Sequence, residues 1–341
     1  MRIGLIGVGR IGALHAQNLH DLDTVEQVVL ADADVGRAKE TAEKLGISAA
    51  GSVDDLFASR PDGVVIAAAT QAHAELVRRA AAAGVPAFCE KPLASDLAGT
   101  HETLATVAAA GIPLQMGFQR RFDAGYTAAR EALAAGDLGR LHTVWACTLD
   151  PAPPHADYIP ASGGIFADCS VHDIDAVRWV TGREVVEVTA TGANRGAEFF
   201  AAAGDVDTAT GLLTLDDGTL VALAASRYNG SGYDVRLELH GSRRTVIAGL
   251  DERLPAGSAE PGVTWPPGPA YANFAERFHD AYLAELRAFV DVAAGRTESP
   301  CRGEDALAAL CVAHACERSR REGRSVRVDE IAQEVPACPM T

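Results

Sequence analysis

Lysine is scarce in this chain. The 30 basic side chains counted as Lys and Arg include only Lys39, Lys44 and Lys91 as lysines. Lys39 and Lys44 lie in a polar segment where any cation would serve. Lys91 stands in "FCEKPLA" (88–94), between an acid and a proline, just after an apolar run. Paired cysteines are missing too. Seven cysteines, at 89, 147, 169, 301, 311, 316 and 338, form no C-x-x-C, and their number is odd. That argues against a disulfide frame or a zinc site and for free thiols in a reducing compartment. No cationic leader precedes the strand-like "MRIGLIGVG", and no apolar run reaches the ~18 residues of a membrane span. The expectation is a cytoplasmic protein without a membrane partner. There is no block of basic residues, and the net charge is −16 with a pI of about 5.0, which makes nucleic acid a poor partner.

What is present is apolar sequence in short, ordered runs. A hydrophobic fraction of 48% over 341 residues is enough for two ordinary domains with real cores. "RIGLIGV" is too continuously apolar for a half-exposed strand and fits one buried on both faces. Strand-like "VEQVVLAD", "PDGVVIAAAT", "PAFCEKP" and "IPLQMGF" alternate with helix-like "VGRAKETAEKLG", "HAELVRRAAAAG" and "SDLAGTHETLATVAAAG". Gly46 is placed to end the first of these helices, and Ser95 or Asp96 to cap the last. Strict alternation predicts right-handed βαβ units and a doubly wound parallel sheet over 1–119.

Beyond residue 120 the rhythm changes. A helix at 123–136 and a strand at 140–149 precede a Pro-rich loop and a helix near 164–181. Long β-rich runs follow, with a hairpin signal at the "DDG" of 216–218, then helices at about 272–294 and 302–321. Residues 120–341 therefore read as a second α/β domain, an antiparallel sheet with helices on one face.

Three motifs carry chemistry. "GVGRIG", Gly7 to Gly12, follows a buried strand and opens a helix. Gly7 permits the tight turn, Gly9 lets a pyrophosphate approach the backbone, and Gly12 allows close helix–strand packing. Arg10 and Ile11 lie between them, where the helix N-terminus would face the phosphates. Asp32, at the end of the second strand, suits both adenosine ribose hydroxyls and would repel a 2′-phosphate. This favours NAD over NADP, with Arg37 against the adenine. The competing reading is a plain glycine turn with a surface aspartate.

The second motif is Lys91 at the carboxyl edge of a later strand, where ligands of such sheets lie. Lysine, unlike arginine, can share its proton, so it could polarise a substrate hydroxyl or carbonyl. The alternative is a surface pair with Glu90. The third is "SGGIFADCSVHDIDAVRWVTG" (162–182), which puts Asp168, His172 and Asp175 on one helical stripe. An acid one turn from a histidine sets its tautomer and raises its basicity, as a general base requires. A solvated helix face and a divalent-metal set remain open alternatives; no further metal ligands stand out.

With these motifs the chain resembles the Gfo/Idh/MocA family of sugar and cyclitol dehydrogenases, through "GVGRIG", "EKP", the 162–182 helix and "SRYNGSGYDVRLELHGS". "GFQRRFDAGY" and "YNGSGYD" are similar to its inositol 2-dehydrogenase branch. The resemblance implies a Rossmann domain and an α/β domain with an open, mostly antiparallel sheet that mediates dimers or tetramers. It implies Lys91, Asp168 and His172 as catalytic residues, with Lys91 also on the cofactor, a cis bond before Pro92, and Thr70, His73 and Glu90 near the cofactor. The family more often has a proline after that threonine; here Gln71 follows. His15 matches a family histidine and reads as packing. Arg121, Asp150, His155, Tyr158 and Tyr233 are the candidates for polyol binding. The expected reaction is NAD-dependent oxidation of a cyclitol hydroxyl, first of all myo-inositol to scyllo-inosose. The alternatives are a pyranose or amino-sugar dehydrogenase or ketoreductase, and a non-catalytic NAD-binding regulator.

Overall fold

The computed structural model describes residues 1–333; Cys338 lies outside them. The chain opens with β1 (Arg2–Ile6), α1 (Arg10–His20), β2 (Gln27–Ala31), α2 (Val35–Leu45), β3 (Ser48–Ala49), α3 (Val53–Ala58), β4 (Gly63–Ile66), α4 (Thr70–Ala83), β5 (Ala87–Glu90), α5 (Leu97–Ala110) and β6 (Leu114–Gly117). The six strands form one parallel sheet in the order β3-β2-β1-β4-β5-β6. Crossovers to both sides of β1 make it doubly wound. All of the strands but β3 are almost wholly buried, as their unbroken apolar runs require. The helices end as their sequences dictate. Asp34 and Asp96 accept backbone N–H groups at the starts of α2 and α5. Gly46 closes α2 in the left-handed region at φ 69°.

The second unit contains α6 (Ala124–Ala134), β7 (Leu141–Leu149), a π-helical turn (Phe166–Ser170), α7 (Val171–Thr181), β8 (Val185–Ala193), α8 (Phe199–Ala202), β9 (Thr208–Leu215), β10 (Leu220–Ser226), β11 (Asp234–Gly241), β12 (Thr245–Ala248) and α9 (Phe274–Arg277). After α10 (His279–Ala293) and α11 (Gly303–Glu322) come β13 (Val326–Arg327) and α12 (Val328–Ala332). The second sheet runs β12-β11-β7-β10-β9-β8-β13. Only the β7–β10 pairing is parallel; every other pair is antiparallel. The β9–β10 hairpin closes at Gly218, with φ 85°, as the "DDG" signal predicts.

Two compact units result. One is Met1–Phe122 with Asp280–Leu307; the other takes Asp123–His279 and the chain from Ala308. A single division at 119/120 does not describe this return. Leu286, Phe289 and Val290 of α10 are fully buried in the core cluster of Ile3, Leu5, Leu30 and Phe88. The apolar face of α10 brings it back, joining Ala16 and Leu19 of α1 and Ala38 and Ala42 of α2 in that cluster. Gly63 on β4 faces Ala293 and Phe289 at the distance of a close packing contact. Among the described residues no helix is long and apolar enough to cross a membrane.

Candidate active site

The first unit builds a phosphate turn and a ribose acceptor from adjacent strand ends. Gly7 leaves β1 with φ 96°, a conformation that favours glycine, and its N–H donates to the Ala31 carbonyl at 2.8 Å. A Cβ on Gly12 would lie 1.8 Å from the Gly7 oxygen, so α1 can pack here only with glycine at that position. A Cβ on Gly9 would meet nothing within 4 Å. The backbone beside Gly9 is therefore open to close approach. Arg10 and Ile11 form the first turn of α1 behind it.

Asp32 follows β2. Its Oδ2 accepts the Val8 N–H at 2.7 Å, which ties the glycine turn to the next strand. Its Oδ1 accepts the Asp34 N–H at 2.8 Å and Arg37 Nη2 at 2.9 Å. Burial alone would raise this carboxyl, but the Val8 and Asp34 amides and Arg37 outweigh it and hold the pKa below its ordinary value. Asp32 is therefore an anion at neutral pH, as a ribose acceptor must be. Arg37 is half exposed and pairs with the carboxylate rather than standing apart.

Glu90, Lys91 and Pro92 leave β5 together, and the Lys91–Pro92 peptide bond is cis. Two buried histidines hold this segment. His15 of α1, fully buried between Phe88 and Tyr282, places Nε2 2.6 Å from Glu90 Oε1. His73 of α4 sets Nδ1 2.7 Å from the Pro92 carbonyl and Nε2 2.9 Å from the Ala68 carbonyl. His15 packs, as the sequence suggested, but it is also a polar tether for Glu90. His15 engages Oε1 of Glu90, the residue next to Lys91. Thr70 begins α4, half-buried, one turn before His73.

In the second unit, Gly163 and Gly164 both take positive φ, 83° and 88°, and turn the chain into the π-helical segment. The Ile165 N–H is fixed by Asp205 Oδ1 at 3.1 Å. The sequence predicted an unbroken α-helix from about 164; the first turn is instead widened, and Asp168 lies within it. Asp173 and Asp175 of α7 are buried, and Thr148 of β7 donates to Asp173 at 2.7 Å. Of the stripe itself, Asp175 is fully buried and the Asp168 side chain is 10% exposed, so it does not form a solvated acidic helix face. Among the described residues no group of three or more His, Cys, Asp or Glu side chains is arranged to hold a metal ion.

Asp168 is held from two sides. Tyr158 donates its hydroxyl to Oδ1 at 2.8 Å, and Arg227 donates Nη2 to Oδ2 at 2.7 Å. Arg227 Nη1 reaches Asp150 Oδ2 at 3.3 Å. Burial raises the Asp150 carboxyl above its ordinary pKa; Arg227 opposes the shift and Asp168 adds to it. Burial and the Asp168 charge push the Tyr158 phenol up, so it stays a donor. His172 follows in the first turn of α7 and is half-buried.

Of the five polyol candidates, Asp150 and Tyr158 thus join Asp168. The other three make the following contacts. Arg121 is buried, with Nη1 3.3 Å from both the Pro300 carbonyl and Asp305. His155 is 82% exposed and pairs with Asp157. Tyr233 is buried, and its N–H donates to the Tyr271 carbonyl. Arg227 was missed by the sequence reading. It stands inside the quoted "SRYNGSGYD" and could have been found only as a buried cation following an apolar strand.

Residues 1–118 match the family model described as "Oxidoreductase family, NAD-binding Rossmann fold", and 126–247 match the "GFO/IDH/MocA C-terminal domain". The chain belongs to the Gfo/Idh/MocA oxidoreductase family. Relatives within it include the myo-inositol dehydrogenase Hyg17 of Streptomyces leeuwenhoekii, 42% identical over 95% of this chain and 98% of the relative. The myo-inositol 2-dehydrogenase of Thermotoga maritima is 38% identical over 97% and 99%. Among solved structures, a probable dehydrogenase from Thermotoga maritima superimposes with a TM-score of 0.90 at 36% identity, covering 97% of this chain and all of the other. The scyllo-inositol dehydrogenase of Lactobacillus casei with bound NAD(H) and scyllo-inositol gives 0.87 at 28%, covering 96% and 99%. The family's cofactor, NAD, suits the open Gly9 cradle and the anionic Asp32 of this chain.

Proposed function

We propose that the chain is an NAD-dependent cyclitol dehydrogenase that oxidises myo-inositol at a secondary hydroxyl to scyllo-inosose. The carrying observation is the likeness, over nearly the whole of both chains, to two myo-inositol dehydrogenases at 38% and 42% identity. Lys91, Asp168 and His172 are side chains of the types this chemistry asks for. Oxidising a secondary alcohol requires removal of a hydroxyl proton, stabilisation of the resulting oxyanion and a two-electron acceptor. NAD+ when bound supplies the acceptor. His172 takes the hydroxyl proton, oriented by Asp168, and Lys91 stabilises the developing alkoxide. Gly7, Gly9, Arg10, Ile11 and Gly12 form the phosphate turn. Asp32 and Arg37 take the adenosine end, while Thr70, His73 and Glu90 shape the loops beside it.

We assign the assembly to the open face of the second sheet. Trp145, Leu212 and Leu220 are exposed there by 55%, 65% and 54%. Trp145 and Leu212, with Ala222, Ala224 and Thr210, line an open groove of ≈ 530 Å³. A face this apolar is suited to a second copy of the chain, giving a dimer or tetramer. Buried free thiols at Cys89, Cys169, Cys301, Cys311 and Cys316 support a reducing, cytoplasmic setting.

The test is a panel of cyclitols and sugars with NAD+ and NADP+, following absorbance of the reduced cofactor. Turnover of myo-inositol with NAD+ is expected; no turnover on any cyclitol refutes the assignment. Lys91→Arg keeps the charge but not the exchangeable proton, and near-normal turnover would refute the role given to Lys91.

A further inference from the structure

The second unit surrounds Asp168 with a network more specific than orienting one histidine demands. Arg227 follows β10 and is only 3% exposed. Its backbone is pinned, its N–H donating to the Asp207 carbonyl at 2.8 Å, and its side chain is held by burial and by its two carboxylate partners. Asp150 is brought to it by backbone pairing: its N–H donates to Ser226 O at 2.8 Å, and its carbonyl accepts from Asn229 at 2.7 Å. One guanidinium thus serves two carboxylates, and the shorter bond, 2.7 Å against 3.3 Å, goes to Asp168. The sharing matters because a guanidinium stays charged in a protein. Two neighbouring buried carboxylates without it would repel each other until one took up a proton. A protonated Asp168 would be a poorer acceptor for an imidazole N–H. A buried ion pair is weak evidence of a role in stability alone, since apolar replacements are often neutral.

We propose that Arg227 is a positioning residue for the reaction: it locks Asp168 as an ionised acceptor, with Tyr158 as the second latch. This rests on the reading that Asp168 orients His172. Three charged groups then sum to one net negative charge beside the helix that carries His172. That charge favours the imidazolium formed when His172 accepts the substrate proton.

The experiment is a double-mutant cycle on the full-length enzyme, with myo-inositol and NAD+, using Arg227→Met, Asp168→Asn and the pair. Arg227→Met is expected to lower kcat about 10- to 100-fold, part of the 10²–10⁴ a positioned base supplies. The KM for the polyol and the Kd for NAD should change less than about threefold. Adding Arg227→Met to Asp168→Asn should cost less than about threefold more, because Arg227 acts through Asp168. Arg227→Lys keeps the charge without the fork and should recover about tenfold in kcat over Arg227→Met. Wild-type kcat in Arg227→Met with a slow Asp168→Asn overturns the role of Arg227 alone. A double mutant slower than Asp168→Asn by the whole Arg227→Met factor also overturns it. Wild-type kcat in Asp168→Asn overturns the reading of Asp168 and this inference with it. Should Arg227→Met not fold, Arg227→Lys carries the test: about a fivefold loss in kcat at unchanged KM is expected, and an unchanged kcat overturns the role.

Discussion

Gly9→Ala should separate cofactor binding from folding, and Gly12→Ala should not. At Gly9 the backbone has φ −67° and ψ −166°, which alanine adopts without strain, and the new Cβ meets nothing within 4 Å. Alanine is a poorer helix N-cap than glycine by about 0.5–1 kcal/mol. It also removes about 0.4–1 kcal/mol of unfolded-state freedom. The two nearly cancel, so the melting temperature of the cofactor-free protein should move by about 1 °C, given about 2 °C per kcal/mol in a chain of this size. Bound pyrophosphate would meet the new methyl. Losing one charge-assisted bond of about 1.5–3 kcal/mol weakens NAD roughly 10- to 100-fold. At an NAD concentration of 100 wild-type Kd, the cofactor stabilises wild type by about 2.7 kcal/mol; at 100-fold weaker binding it gives about 0.4 kcal/mol. The wild-type melt should therefore rise about 5 °C with NAD, and the Gly9→Ala melt by only about 1 to 3 °C, the larger figure at tenfold weaker binding. In Gly12→Ala the Cβ lies 1.8 Å from the Gly7 oxygen, a backbone atom that cannot yield. Overpacking of about 1–3 kcal/mol should lower that variant's melt before any cofactor is added. Thermal melts with and without NAD decide it. Wild-type NAD stabilisation in Gly9→Ala would show that the phosphates do not lie where the glycine turn puts them.

Three further outcomes follow from the same geometry. His15→Phe keeps the ring packing against Phe88 and Tyr282 but loses the Glu90 bond, so calorimetry should show about 1.5–3 kcal/mol less stability; an unchanged melt would mean the tether is idle. Asp32→Asn should lower stability at pH 7 and lose that deficit in acid. The Asp32 carboxyl titrates below its ordinary 3.8 when folded, so its contribution is complete above 3.8 and fades as pH falls through the folded value; parallel wild-type and variant melts from pH 7 to 3 would contradict this. Leu212→Glu puts a charge on the exposed sheet face and should reduce the particle mass measured by light scattering; an unchanged mass would move the interface elsewhere, and a monomeric wild type would refute the assembly itself.

Much of the first unit is legible because its signals are local. The glycine turn, the buried strands, Asp32 after β2, the cap at Asp96 and the stop at Gly46 each depend on residues a few positions apart. The short β3 and α3, between Ser48 and Ala58, escape because two-residue strands carry no periodicity. The return of α10 to the first unit escapes for another reason. Its apolar stripe shows that it packs, but a stripe does not say against which sheet. The π-helical turn is equally hidden, since Gly163 and Gly164 announce a turn and not the width of the helix that follows.

The site divides along the same line. Lys91, Asp168 and His172 are visible because each belongs to a compact motif. What holds them is not: His15 reaches Glu90 across 75 residues, and Arg227 reaches Asp168 across 59. Tethers of this kind need only the right length, charge and burial, so no short pattern marks them. Burial is also what makes them consequential. In a dry setting a carboxylate such as Asp168 keeps its charge only if a cation is fixed beside it, and Arg227 is fixed by its backbone as well as its fork. The scarcity of lysine fits this division of labour. The positions that hold charge in place are arginines, which do not give up a proton, and the position proposed to exchange one is Lys91.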